Sequence, residues 1–108
     1  MKTPMFTQIF VLSLLVGTAT AIASTAIATD GKILFARHCV GCHYNGGNTV
    51  NPAKPLTRIY REANGLRTPK ELVAKIRQGG PGMPAFSAAR LSEPNAQAIA
   101  EYIIKTFD

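Results

Sequence analysis

The apolar positions of this chain fall into two regimes. From Ile9 to Gly17 they run almost unbroken (IFVLSLLVG), and no charge stands between Lys2 and Asp30. After Asp30 they recur in short bursts at helical spacing, separated by turn-rich stretches. Asp30 is placed to cap a first helix over roughly Gly31 to Cys39, with Ile33, Leu34 and Phe35 as its apolar content. The segment YNGGNTVNPAKP, from Tyr44 to Pro55, is too rich in turn formers for a regular element. Leu56 to Ala63 predicts a short helix ended by Asn64-Gly65. Thr68-Pro69-Lys70-Glu71 combines a capping Thr, a Pro at the first helical position and a Glu three residues on. The helix it starts carries Leu72, Val73 and Ile76 on one face and stops at Gly79-Gly80. After the irregular GGPGMPAFSAAR, Ser92 caps a last helix to about Phe107, with Ile99, Tyr102, Ile103 and Phe107 as its stripe. No segment reads as a strand. The pattern predicts an all-α domain of three to four short helices joined by long loops.

The first regime has a different meaning. A basic start, a short apolar centre and the small residues TATAIASTAIA form the order of a secretory signal peptide. The A-x-A patterns end at Ala23 and at Ala28, so residues 1–28 are expected to be cleaved at one or the other, leaving a domain over 29–108. A retained anchor is the competing reading, because Thr3 to Thr29 is long enough to span a bilayer. Its second half is rich in Thr, Ser and Ala, which insert weakly and favour cleavage.

Export without that segment leaves about 80 residues, a size at which burial alone gives marginal stability and some staple is expected. The two cysteines allow one disulfide at most, and its loop would be too short to stabilise much. The mature part keeps eleven of the twelve basic residues and all six acids, a balance of +5. Such a surface suits an acidic partner. The basic residues are scattered rather than clustered, which argues against nucleic acid.

The missing staple is supplied by Cys39-Val40-Gly41-Cys42-His43, the C-x-x-C-H signature of covalent c-type haem. Two thiols at this spacing can add to the two vinyl groups on one edge of a porphyrin. The next residue then projects its imidazole toward the iron as proximal ligand. Small Gly41 leaves room for the backbone beside the ring. A structural zinc site would need four ligands, and His38 adjoins Cys39 too closely to join it on one tetrahedral ion. A thioredoxin-like pair wants a βαβ context that is absent. A plain disulfide leaves His43 and the irregular loops unexplained.

The sixth iron position decides function, since a second strong protein ligand favours electron transfer and an open site favours gas or peroxide chemistry. Met83 is the only methionine after the signal. It lies in Gly79-Gly80-Pro81-Gly82-Met83-Pro84, away from any helical stripe where a core methionine would sit. Met83 is therefore the candidate axial ligand; His38, the rival, points poorly and reads as a surface residue.

These residues together resemble a class I cytochrome c, and within it the small photosynthetic c-six group of cyanobacterial and algal lumens. The resemblance covers essentially all of 30–108 and rests on GKILFARHCVGCHYNGGNTVNPAKPL, GGPGMPAF and LSEPNAQAIAEYII, in the family's order. It implies the cytochrome c fold around one haem c with its iron, bound through two thioethers at Cys39 and Cys42 and ligated by His43 and Met83. It implies a crossing of first and last helices through Gly31, Phe35 and Tyr102. The ligand histidine should donate its far N–H to a carbonyl, for which the Asn51-Pro52 segment is the candidate. Lys54 is the best-placed partner for the haem propionates, with Arg58 and Arg67 as alternatives. One departure stands out: photosynthetic members commonly carry a Gln near the haem, where this chain has Lys75. The implied function is a soluble, monomeric one-electron carrier, not an enzyme, in the periplasm or thylakoid lumen. It would shuttle between membrane redox complexes of a photosynthetic or respiratory chain, docking on acidic surfaces. The alternatives are a haem subunit or partner of a periplasmic oxidoreductase, and a haem-free secreted disulfide module.

Overall fold

The computed structural model describes residues 16–22 and 29–108. The expected signal peptide and its cleavage sites lie outside these residues, apart from the irregular, exposed 16–22. Among the described residues no helix is long and apolar enough to cross a membrane.

Helix α1 spans Gly31–His38 and starts where the sequence places its cap: the Asp30 carboxylate accepts from the Lys32 N–H at 2.8 Å. It ends one residue early, because Cys39 leaves helical geometry (φ −123°, ψ −33°) while its N–H still donates to Phe35 O. A new turn, α2 (Val40–His43), begins at that break and runs into a 3₁₀ turn over Tyr44–Gly46. The apolar pattern had no way to reveal this split, since a four-residue helix has no periodicity to read. Helix α3 covers Arg58–Ala63, shorter than expected because Thr57 is still extended after Pro55. Gly65 takes a positive φ of 72° just beyond its end.

Helix α4 (Pro69–Gln78) has the complete capping box: Thr68 Oγ1 accepts from Glu71 N–H at 3.2 Å, and Glu71 Oε2 accepts from Thr68 N–H at 3.0 Å. Gly79, with φ 66°, terminates it. Helix α5 (Glu93–Thr106) is capped by the Ser92 hydroxyl, which accepts from Asn95 N–H. The described residues contain no strand, only an isolated bridge between Gly80 and Met83. The architecture is all-α, with five helices where three to four were expected; α2 is the addition that the sequence pattern did not separate.

The core forms where α5 packs on both α1 and α4. Leu34, Phe35, Leu72, Val73, Ile76, Ile99 and Ile103 are buried there. The expected crossing is present. A Cβ on Gly31 would collide with the Ala98 carbonyl oxygen and sit 3.0 Å from Tyr102 Cβ, so only glycine lets α1 and α5 approach this closely. Phe35 fills the adjoining space, its ring centroid 5.3 Å from Tyr102 and 5.3 Å from Phe107. This scaffold leaves α2 and the 79–91 loop facing each other across a cleft.

Candidate haem site

One wall of the cleft is α2 and the residues around it. Cys39 is half-buried at the helical break, and Cys42 is exposed one turn on. Burial pushes the free Cys39 thiol up to about 11. His43 ends the same turn. Its Nδ1 lies 2.8 Å from Gly47 O. A carbonyl can only accept, so Nδ1 carries the proton and Nε2 keeps its lone pair free for a metal.

That acceptor corrects the expectation that the Asn51-Pro52 segment would serve. The chain reverses sharply through Asn45 (φ 51°) and Gly46 (φ 76°), which returns the Gly47 carbonyl to the ring four residues back. Thr49 N–H then donates to Cys42 O at 2.9 Å, fastening the following loop onto α2.

The opposite wall carries Met83. Gly80 and Met83 exchange reciprocal backbone hydrogen bonds of 3.0 and 2.9 Å around Pro81-Gly82, and Gly82 has φ 77°. Pro followed by a glycine of positive φ is the arrangement of a type II turn. A Cβ at Gly82 would lie 2.5 Å from Val50 Cγ1, so the turn also packs tightly against the facing loop. Half-buried Met83 is presented by this turn and packs at the edge of the core.

Between the walls lie two adjoining lobes of about 230 and 160 Å³, which share Cys39, His43, Asn48, Lys54, Pro81 and Met83. The inner lobe reaches Phe35, Leu72, Ile76, Ile99 and Ile103, so its floor is apolar. A soft thioether and an imidazole with a free nitrogen line one apolar space with two thiols at its rim. This donor set fits a haem: two sulfurs for the tether, N and S for the iron, and hydrocarbon for the macrocycle.

Lys54 lines both lobes, whereas Arg58 and Arg67 line neither; of the three basic candidates only Lys54 is brought to the cleft. His38 is corrected. It is half-buried rather than a surface residue, with its ring edge-on to Phe86 at 5.9 Å and its side chain on the outer lobe. Lys75 is half-buried on the inner lobe and donates from Nζ to Gly79 O at 3.0 Å.

Two further residues escaped the sequence reading. Asn48 Oδ1 accepts from the N–H groups of Val50 and Asn51 at 3.1 and 2.8 Å, and its Nδ2 donates to Lys54 O at 3.0 Å. It holds the loop that carries Lys54, and an Asn in a turn-rich stretch was its only signal. Arg77 donates from Nη1 to Phe86 O (3.1 Å) and Leu91 O (2.6 Å), and from Nη2 to Glu93 Oε2 (2.9 Å). It ties the far end of the methionine loop to α4 and α5. Nothing in its sequence neighbourhood separates it from a solvated charge.

The family model described as "Cytochrome C oxidase, cbb3-type, subunit III" matches residues 26–103. Cytochrome c6 of Synechocystis sp. is 37% identical over 87 residues, covering 78% of this chain and 72% of that protein. Cytochrome c6 of Leptolyngbya boryana is 39% identical over 77 residues, covering 71% and 88%. Among solved structures, OmcF, the outer membrane cytochrome F of Geobacter sulfurreducens, is 52% identical with a TM-score of 0.71, covering 72% of this chain and 99% of that one. Cytochrome c6C of Synechococcus sp. is 33% identical with a TM-score of 0.65, covering 69% and 90%.

Proposed function

This chain belongs to the class I cytochromes c, in their c6-like group, and from that premise we propose that it shuttles single electrons between membrane redox complexes with His43 and Met83 as axial ligands. Its cofactor is covalently bound haem c, which supplies the one-electron couple of its iron. The chain is thereby a haem electron carrier.

The observation that carries the ligand assignment is the His43–Gly47 hydrogen bond. It leaves Nε2 as the free imidazole nitrogen in a cleft whose other wall is the Met83 turn. Cys39 and Cys42 hold the thioethers. Lys54 lines both lobes, where its ammonium would neutralise a carboxylate. The Gly80–Met83 turn and Arg77 hold the thioether in place without relying on the bond it makes. A ligand fixed in this way moves little when one electron is added or removed. With both axial positions filled there is no coordination site for a substrate, which favours a carrier over an enzyme.

The surplus of basic residues supports acidic docking surfaces, and a small weak interface suits a monomer that must leave quickly. The chain shares more residues with the Geobacter outer membrane cytochrome than with the cyanobacterial proteins, which favours the periplasm over a thylakoid lumen. The description of the matched family model favours a second reading, a haem subunit held on a membrane oxidase. Detergent extracts separate the two: a carrier runs as a free small protein, a subunit with the membrane complex.

A redox titration followed by visible absorption tests the main reading. One reversible one-electron step with a low-spin spectrum in both states is expected. Ferrous protein that takes up carbon monoxide at once would overturn the filled sixth position.

A further inference from the structure

Among the described residues Arg61 is the one buried charged side chain, 2% exposed. A guanidinium stays charged at any working pH, and burying it is costly unless other groups replace its water. The replacements are not carboxylates, since the ion pairs among the described residues are Arg58–Asp108 and Arg77–Glu93. They are two backbone carbonyls from distant parts of the chain. Nε donates to Leu56 O at 2.8 Å, and Nη2 donates to Phe107 O at 3.0 Å.

Both acceptors belong to residues that converge on one glycine. Leu56 N–H donates to Gly46 O at 2.7 Å. The Phe107 ring lies against Gly46 itself: a Cβ there would be 2.6 Å from Phe107 Cδ1, and the φ of 76° favours glycine independently. Gly46 directly precedes Gly47, whose carbonyl accepts the His43 Nδ1 proton. The contacts thus close a circuit from Gly46 through Leu56, Arg61 and Phe107 back to Gly46.

We infer that Arg61 is a positioning residue for His43: its guanidinium braces the Gly46-Gly47 turn by holding Leu56 and the end of α5 against it. An apolar side chain of equal volume would avoid the desolvation cost. It would lose the rigid fork that spans two carbonyls at once, a geometry lysine cannot reproduce. The brace matters for the ligand because the hydrogen bond it supports sets the tautomer, the ring plane and the basicity of the imidazole. The inference rests on the proposal that His43 is the proximal ligand.

The test follows the His43 Nδ1–H signal by NMR in the reduced holoprotein. In Arg61→Met the haem stays covalently attached and helix content is kept, while the Nδ1 proton exchanges about tenfold faster or more. The reduction potential shifts in the same variant. Arg61→Lys keeps the charge but leaves exchange fast, because one ammonium cannot bridge both carbonyls. Should Arg61→Met fail to fold, a chain ending at Thr106 removes the Phe107 carbonyl and ring and must show the same acceleration. Wild-type exchange in the foldable variant, with only a lower melting temperature, overturns the inference; so does full rescue by Arg61→Lys. A low-spin spectrum surviving His43→Ala would instead remove the ligand reading, and the inference with it.

Discussion

The His43 Nδ1 and the Gly47 carbonyl oxygen meet at 2.8 Å across four residues of one turn, so the bond that orients the imidazole closes within that turn, with the Arg61 contacts to Leu56 and Phe107 lying behind it. Met83 is held differently. Its turn closes on itself through Gly80, but its place opposite His43 depends on Phe86 N–H reaching Ile76 O at 3.0 Å and on Arg77 clasping Phe86 and Leu91. The two walls of the cleft therefore differ in how they fail. Loss of packing between α4 and α5 should release Met83 first, while His43 keeps its tautomer.

The cysteines give the most direct test of the tether. Thioethers survive denaturation, so the wild-type protein, matured by cells that attach c-type haem, should keep its colour and one haem of added mass through acid extraction. Replacing Cys39 and Cys42 by Ala should release both. Mass spectrometry of the denatured chain decides the matter, and an unmodified wild-type mass would remove the tether.

Gly31 tests the helix crossing. Adding one methyl forces α1 off the Ala98 backbone, which cannot yield as a flexible side chain would. Gly31→Ala should lower stability by about 2 kcal/mol or more, read from denaturant midpoints of the reduced holoprotein. The visible spectrum at low denaturant should be unchanged, because the substitution lies away from the cleft. A midpoint equal to wild type would mean that the helices can slide apart at no cost.

Much of this was legible in the sequence. The caps at Asp30, Thr68 and Ser92 and the glycine stop at 79 rest on residues whose local chemistry dictates the outcome, whereas the long-range Gly31–Phe35–Tyr102 contact is legible only through the family resemblance. The C-x-x-C-H spacing and the Gly/Pro turn are likewise short-range signals for Cys39, Cys42, His43 and Met83, which line one cleft, whereas Lys54 is legible there only through the resemblance. What escaped depends on where distant chain segments meet. The Gly47 acceptor follows from one left-handed Asn and one glycine, Asn45 and Gly46, in a stretch full of possible turns. Arg61 and Arg77 spend their guanidinium groups on carbonyls up to 46 residues away, which no local pattern encodes. His38 was misjudged because its partner, Phe86, arrives from the methionine loop.

Glu71 ties stability to pH. Its carboxyl is held below the ordinary 4.5, first by the Thr68 N–H, then by the Arg67 N–H, with the Thr68 hydroxyl and the Arg67 charge adding to them. Because the folded value lies below the unfolded one, the contribution is complete above 4.5 and is lost as pH falls through the lowered value. Glu71→Gln should flatten that acid limb in a series of urea midpoints. Thr68→Ala should cost about 1 kcal/mol at neutral pH and weaken the same limb. An acid limb unchanged in Glu71→Gln would assign it to other carboxylates.

Met83 carries the functional claim. A thioether ligand favours ferrous over ferric iron and raises the potential relative to nitrogen or oxygen ligands. The oxidised protein should then show the weak near-infrared sulfur-to-iron band. Met83→His should abolish that band and lower the potential with folding retained, because the side chain is half-buried at the core's edge and the turn's own hydrogen bonds are backbone. Met83→Ala should open the position to water or carbon monoxide and turn a carrier into a ligand binder. The surrounding turn is indifferent to the substitution, since Pro81, Gly82 and the Gly80 bridge do not involve the sulfur. Loss of the band is thus a statement about ligation and not about a collapsed loop. Near-infrared absorption and the potential of the three proteins decide it: if Met83→Ala kept both the band and the wild-type value, another residue would hold the sixth position and the carrier mechanism would lose its main support.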